Sequence, residues 1–166
     1  HNNQLFLIYC ASGCWTDAYA LGMLSATTDA DLMKASSWTK TDHPVFQESI
    51  KNKVYATGHN SFFTSPDGTE DYILYHANSE PGQGCGSHRS PRAQKFTWNA
   101  DGSPNFGEPV AAGVALPLPS GIVTKNVTLH NPVLDADFPD PTVINADGSY
   151  YAYSTQGRHD GKMNNI

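Results

Sequence analysis

Asp140 stands between two prolines in Phe138-Pro139-Asp140-Pro141. A carboxylate on so stiff a stretch of backbone is suited to taking a proton from water as a general base. His59, in Gly58-His59-Asn60-Ser61, occupies the matching place in a second segment of the same design. In the first segment Gly58 to Phe63 is followed by Pro66-Asp67-Gly68 and then by Tyr72-Ile73-Leu74-Tyr75. In the second, Pro139 to Ile144 is followed by Asp147-Gly148 and then by Tyr150-Tyr151-Ala152-Tyr153. Each is a strand, an Asp-Gly turn and a strand, the pattern of a β-hairpin. Laid over one another, the hairpins put His59 on Asp140. Two plainer readings compete: an Asp-Pro pair that only opens a strand, and a histidine that only caps one. Trp15 and Asp17 lie in a loop after a strand, Cys14-Trp15-Thr16-Asp17, and read equally well as ligand contacts or as local packing and a turn cap.

These residues need elements to position them. Leu5 to Tyr9 is a weak third copy of the hairpin's second strand. Repeated β-units, each with a polar residue at the head of its first strand, suggest blades of a β-propeller around a central site. Leu5 to Ala11 reads as a buried strand, with Ala18 to Ser25 as its partner. Asp29 to Ser36 reads as a short helical turn, and Ser37 to Lys40 as an edge strand. Val54 to Thr64 and Asp71 to Ala77 form the first hairpin. Ala93 to Trp98 alternates and predicts a half-buried strand, and Pro109 to Leu116 a last one. Phe62, Phe63, Tyr75, Phe96, Trp98 and Tyr153 recur at strand period and are expected to pack the blades. His76 follows a core tyrosine and reads as structural. Asp135 and Asp137 read as solvated loop acids. No long amphipathic helix is visible, so the class is all-β. Pro117, Pro119, Ser120 and Gly121 read as a tail or a linker, after which a new unit starts at Asn131.

The bulk numbers narrow the choices. The chain has 166 residues, a net charge of −6, 14 Gly and 11 Pro. It is long enough for an ordinary core, and the frequent turn residues suit short strands. The acidic balance and the absence of a basic stripe argue against nucleic acid. No apolar run reaches the ~18 residues that would span a membrane as a helix. Three cysteines without histidines at ligand spacing do not make a zinc site. One disulfide and one buried thiol fit better. Cys14 with Cys85 is the favoured pair, both lying in Gly-rich loops, with Cys10 inside the apolar strand. The sequon Asn126-Val127-Thr128 points weakly to secretion.

Asn131-Pro132-Val133-Leu134 followed by Phe138-Pro139-Asp140-Pro141 resembles the opening of a glycoside hydrolase family 43 domain. Gly58-His59-Asn60-Ser61, Tyr72 to His76 and Arg89 to Phe96 resemble later blades of the same family, nearest its exo-acting α-L-arabinofuranosidases. The resemblance implies part of a five-bladed propeller, about half of it, in circularly permuted order. Residues 1–120 would be later blades, residues 121–130 a linker joining the old termini, and residues 131–166 the opening blade. It implies Asp140 as the general base of an inverting hydrolysis. Arg89, five residues before Gln94, would reach the sugar, with Arg92 the competing choice. Trp15 could stack on a sugar ring and Asp17 bond a hydroxyl. His59 would face the axial channel and hold a metal ion, calcium in many members, through water; no organic cofactor is implied.

An inverting glycosidase also needs a carboxylic acid ~6.5–9.5 Å from the base. Glu48, Glu70, Glu80 and Glu108 lack the surroundings of the family's acid. The expected partner is therefore a second polypeptide or a missing segment that carries the general acid Glu and the remaining blades. The expected substrate is an arabinan-type polysaccharide, met outside the cell. A β-xylosidase, an endo-arabinanase and a non-catalytic sugar-binding propeller are the alternatives.

Overall fold

The structure, a computed structural model, describes residues 1–123 and 127–155 and the backbone of two short strands beyond them. Strands β1 (Gln4–Ala11), β2 (Ala20–Thr27) and β3 (Thr39–Lys40) form an antiparallel sheet in that order. Strands β4 (Tyr55–Thr64), β5 (Asp71–Asn78), β6 (Ser90–Trp98) and β7 (Pro104–Asn105) form a second. Three two-stranded ladders follow: β8 (Ala115–Leu116) with β9 (Leu129–His130), β10 (Thr142–Ala146) with β11 (Ser149–Tyr153), and β12 (Gly157–His159) with β13 (Lys162–Asn164). The described residues include no α-helix, only a 3₁₀ turn at Ala35–Ser37. The chain is all-β, and its meandering sheets are blades of a partial propeller.

The core lies between the first two sheets. Along β5 the alternate residues Ile73, Tyr75 and Ala77 are fully buried and meet Leu21 of β2, Phe46, Val54 and Phe106. Phe46 stands edge-on to Tyr75 at 4.8 Å between centroids. The hydroxyl of Tyr75 donates to Gln94 Oε1 at 3.1 Å, and Gln94 Nε2 donates to the Phe106 carbonyl at 2.9 Å. The polar tips of Tyr75 and Gln94 are thus partnered, as burial demands.

The segment after β9 closes the second sheet. Buried Asn131 accepts from Ala93 N–H at 2.9 Å and donates to the Ala93 carbonyl at 3.0 Å, taking the place of a strand on the outer edge of β6. Val133 N–H then bonds the Pro91 carbonyl and Phe138 N–H the Arg89 carbonyl, each at 2.8 Å. Residues 131–138 therefore run along β6 and deliver Pro139-Asp140-Pro141 to the middle of β4, where Ser61 donates to the Pro141 carbonyl at 3.1 Å.

The stretch expected as a tail or a linker is packed down. Leu118 and Ile122 close a cavity of about 480 Å³ over Phe63, Leu74, Val143 and Tyr150. Ser120 N–H donates to Glu70 at 2.9 Å and its hydroxyl to Asp67, tying the stretch to the first hairpin. Lys95 and Ser120, with help from the Tyr72 hydroxyl, hold the Glu70 carboxyl down at about 2 against an ordinary 4.5. A depressed carboxyl stabilises the fold above its unfolded pKa and loses that contribution as pH falls through the folded value. Glu70→Gln is accordingly expected to flatten the fall in melting temperature between pH 4.5 and 2. Parallel acid slopes for parent and variant would refute the assignment.

Several sequence expectations are corrected here. Leu5 to Ala11 is no buried strand: β1 has a neighbour on one side only, and Leu5, Leu7 and Cys10 are exposed. Phe62 and Tyr153 are also exposed, although Phe62 still meets Phe96 and Phe106 at 5.8 Å each. The strand expected from Ala93 begins at Ser90, because Ser90 to Arg92 pair with Ala77 to Tyr75. The strand expected over Pro109 to Leu116 shrinks to two residues. Asp137 is buried beside Arg89, not solvated. Asn126 of the sequon lies outside the described residues.

Candidate active site

The site begins with a distortion of β4. Its pairing with β5 slips on both sides of Gly58, and Ala56 and His59 take φ of 50° and 49°. Bulges of this kind re-aim a side chain out of the sheet. Gly58 itself has no alternative, because a Cβ there would lie 2.1 Å from the ring of Tyr19. Asp140, the residue equivalent to His59 in the second hairpin, has φ of 54°. The two residues aligned by the repeat thus share one rare backbone state, an uncommon conformation for a residue with a side chain.

They also meet. His59 Nδ1 lies 3.0 Å from Asp140 Oδ1. On the other oxygen, the Thr155 hydroxyl donates to Oδ2 at 2.7 Å, and Thr155 N–H holds the Pro139 carbonyl at 3.1 Å. The backbone N–H of Asp140 donates to His76 Nδ1 at 3.2 Å. Asp140 is thereby fixed at three atoms, with about a quarter of its side chain still open to solvent, 23%. A carboxylate so held is oriented yet reachable by water, as a general base requires.

His76, read from the sequence as structural, is buried and holds the Asp140 backbone. Its side chain is 3% exposed, and burial, reinforced by the Arg89 charge, lowers its pKa from 6.5 to about 4. Near neutral pH it is an uncharged ring whose Nδ1 lone pair receives the Asp140 amide, which puts its proton on Nε2. Its ring lies in a row between Tyr19 at 5.9 Å and His59 at 6.2 Å. The available signal was the hairpin register, in which Gly58 faces His76.

The other candidates surround this row. Arg89 donates from Nε to the Gly86 carbonyl at 2.9 Å, and the same Nε lies 3.8 Å from Asp137 Oδ1, so its fork is anchored beside the segment that carries Asp140. Arg92, the competing arginine, is fully buried and donates from Nη2 to Ser79 at 2.8 Å. Trp15 is 75% exposed, with its ring folded over Gly13. Both oxygens of Asp17 accept from Gly82 N–H, at 2.9 and 3.0 Å, joining two loops. The cysteines are free thiols; the expected bridge is not formed, although the neighbouring Cys85 thiol pushes the Cys14 pKa up. Cys10, expected to be buried, is exposed, and its Sγ receives the N–H of His59 at 3.3 Å.

Calcium takes about six to eight oxygen ligands. Among the described residues no group of three His, Cys, Asp or Glu side chains converges, and the Nδ1 of His59 is engaged by Asp140. These residues alone therefore do not fit a calcium cage.

The model of glycosyl hydrolases family 43 matches residues 1–104, more than half of the chain. The chain belongs to glycosyl hydrolase family 43. It is 50% identical over 119 residues to the extracellular exo-α-(1→5)-L-arabinofuranosidase of Streptomyces avermitilis, a match spanning 69% of this chain and 24% of that enzyme. It is 39% identical over 119 residues to α-L-arabinofuranosidase 43 of Humicola insolens, with 68% and 24% covered. The crystal structure of α-L-arabinofuranosidase from Lactobacillus brevis superposes with a TM-score of 0.62 at 42% identity, over 66% of this chain and 35% of that one. A thermostable family-43 glycoside hydrolase superposes with a TM-score of 0.60 at 23% identity and speaks to the fold alone. The matched part of this family 43 chain spans about a quarter of the length of the curated relatives.

Proposed function

We propose that this family 43 chain supplies the general base of an inverting α-L-arabinofuranosidase acting on arabinan or arabino-oligosaccharides. The observation that supports it most is Asp140, held by His59, Thr155 and His76 at the meeting of two blades. In the proposed reaction Asp140 takes a proton from water as that water attacks the anomeric carbon. A carboxylic acid on the opposite side gives its proton to the departing oxygen. The Thr155 hydrogen bond to Oδ2 and the His59 ring beside Oδ1 orient the Asp140 carboxylate, which makes the transfer directional.

The acid is proposed to come from the remaining blades, in a second polypeptide or another part of a longer chain. Glu70 and Glu108 are committed elsewhere, to Lys95 with Ser120 and to Ser49 with Lys51. A strand added to the open edge of β1 would bring such a residue to the same axis. Arg89 and Trp15 are proposed to hold and stack the sugar, and Asp17 to keep their loops in place. His59 is proposed to lie at the axis beside Asp140, where it would hold bound water. Work outside the cell is proposed from the extracellular Streptomyces relative.

The test compares aryl α-L-arabinofuranoside with aryl β-D-xylopyranoside, using the chain alone and the chain completed by the remaining blades. The expected result is turnover of the arabinofuranoside only, and only in the completed enzyme, with inversion of the anomeric centre. Preferential turnover of the xyloside would favour a β-xylosidase. Tight sugar binding without turnover would favour a binding propeller.

A further inference from the structure

The loops 12–19 and 79–90 run antiparallel to one another across the rim of the site. Two contacts set one register. The Asp17 carboxylate holds Gly82 N–H. A Cβ built on Gly84 would lie 3.5 Å from the Trp15 carbonyl oxygen and 3.6 Å from its Cα. One step further, the same register sets Cys85 against Cys14. Each step forward in one loop is a step back in the other. Both loops are held from behind: Thr16 bonds the Gly13 carbonyl through its N–H at 3.0 Å and its hydroxyl at 2.9 Å, and Asn78 Nδ2 holds the Gly84 carbonyl at 2.7 Å. Both thiols are partly open to solvent.

We infer that Cys14 and Cys85 are an oxidisable pair, and that their disulfide staples the two lips carrying Trp15, Asp17 and Arg89. A small disulfide such as oxidised glutathione is the oxidant. One cysteine sulfur attacks it, forming a mixed disulfide and releasing one reduced glutathione. The second cysteine displaces the other glutathione, and the two thiol protons leave with the two released thiols. Cys10 does not take part, because its sulfur is turned to the N–H of His59. The pairing is independent of the hydrolytic reading, since it needs no turnover to be observed.

The experiment treats the purified full chain with oxidised glutathione, blocks residual thiols with N-ethylmaleimide, and maps unreduced peptides by mass spectrometry. A parallel sample is oxidised in urea. Unfolded, loop closure favours the near pair Cys10 and Cys14. In native buffer the expected product joins Cys14 to Cys85 and leaves Cys10 labelled. Its expected effect is a rise in melting temperature of ~10 °C, since the bridge closes a long loop. The rise should be abolished by Cys85→Ser and kept in Cys10→Ser. A native bridge that includes Cys10, lasting glutathione adducts on Cys14 or Cys85, or three labelled thiols would each overturn the inference.

Discussion

Asp140→Asn, in the completed enzyme, is expected to lower kcat by ~10²–10⁴-fold with little change in KM or melting temperature. Asparagine has the shape of aspartate, so the backbone bond to His76 and the contacts with His59 and Thr155 can persist. The Thr155 hydroxyl can turn from donor to acceptor if the new amide nitrogen faces it. What disappears is the capacity to accept a proton from water. A loss confined to kcat is the mark of a group that acts in the transition state and not in binding. If the folded variant retains half of the parent rate, Asp140 is not the base, and the carboxylate must be sought among the residues of the other blades.

How much of this was legible beforehand depended on which physical signal carried it. The overlay of two hairpins put His59 on Asp140, and the side chains lie 3.0 Å apart. That succeeded because blades share an axis, so equivalent positions converge whatever their distance in sequence. The shared left-handed backbone was not legible, since neither residue is a glycine and the bulges in β4 leave no compositional mark. The burial of β1 was misread because an apolar run does not reveal whether both of its edges are paired. The packing of the linker was not legible for a related reason: prolines and glycine excluded a strand but said nothing of Leu118 and Ile122 finding an apolar hollow. Cys14 and Cys85 were paired from loop composition, which placed the thiols together but did not show the register that aligns them.

His76 shows the same limit most sharply, and its variants separate support from mere packing. The expected result is that His76→Leu lowers kcat about 10²-fold, the scale of a 1 Å misplacement of a catalytic group. Leucine fills the space but leaves the N–H of Asp140 without an acceptor, at a cost of about 1–3 kcal/mol. Asp140 holds φ of 54°, an unfavourable state that persists only where neighbours over-determine it. Removing the imidazole frees the carboxylate to turn away from the water it must face. His76→Asn places Oδ1 near the position of the lost Nδ1, so it is expected to recover most of the rate. The pH dependence of stability supplies a second readout. The unfolded histidine takes a proton below about 6.5, whereas the buried one resists until about 4, so stability falls as pH drops between those values. Both variants should remove that slope, but only asparagine should restore turnover. Equal impairment of the two variants would reduce His76 to a packing residue, and full activity in His76→Leu would show that Asp140 holds its place unaided.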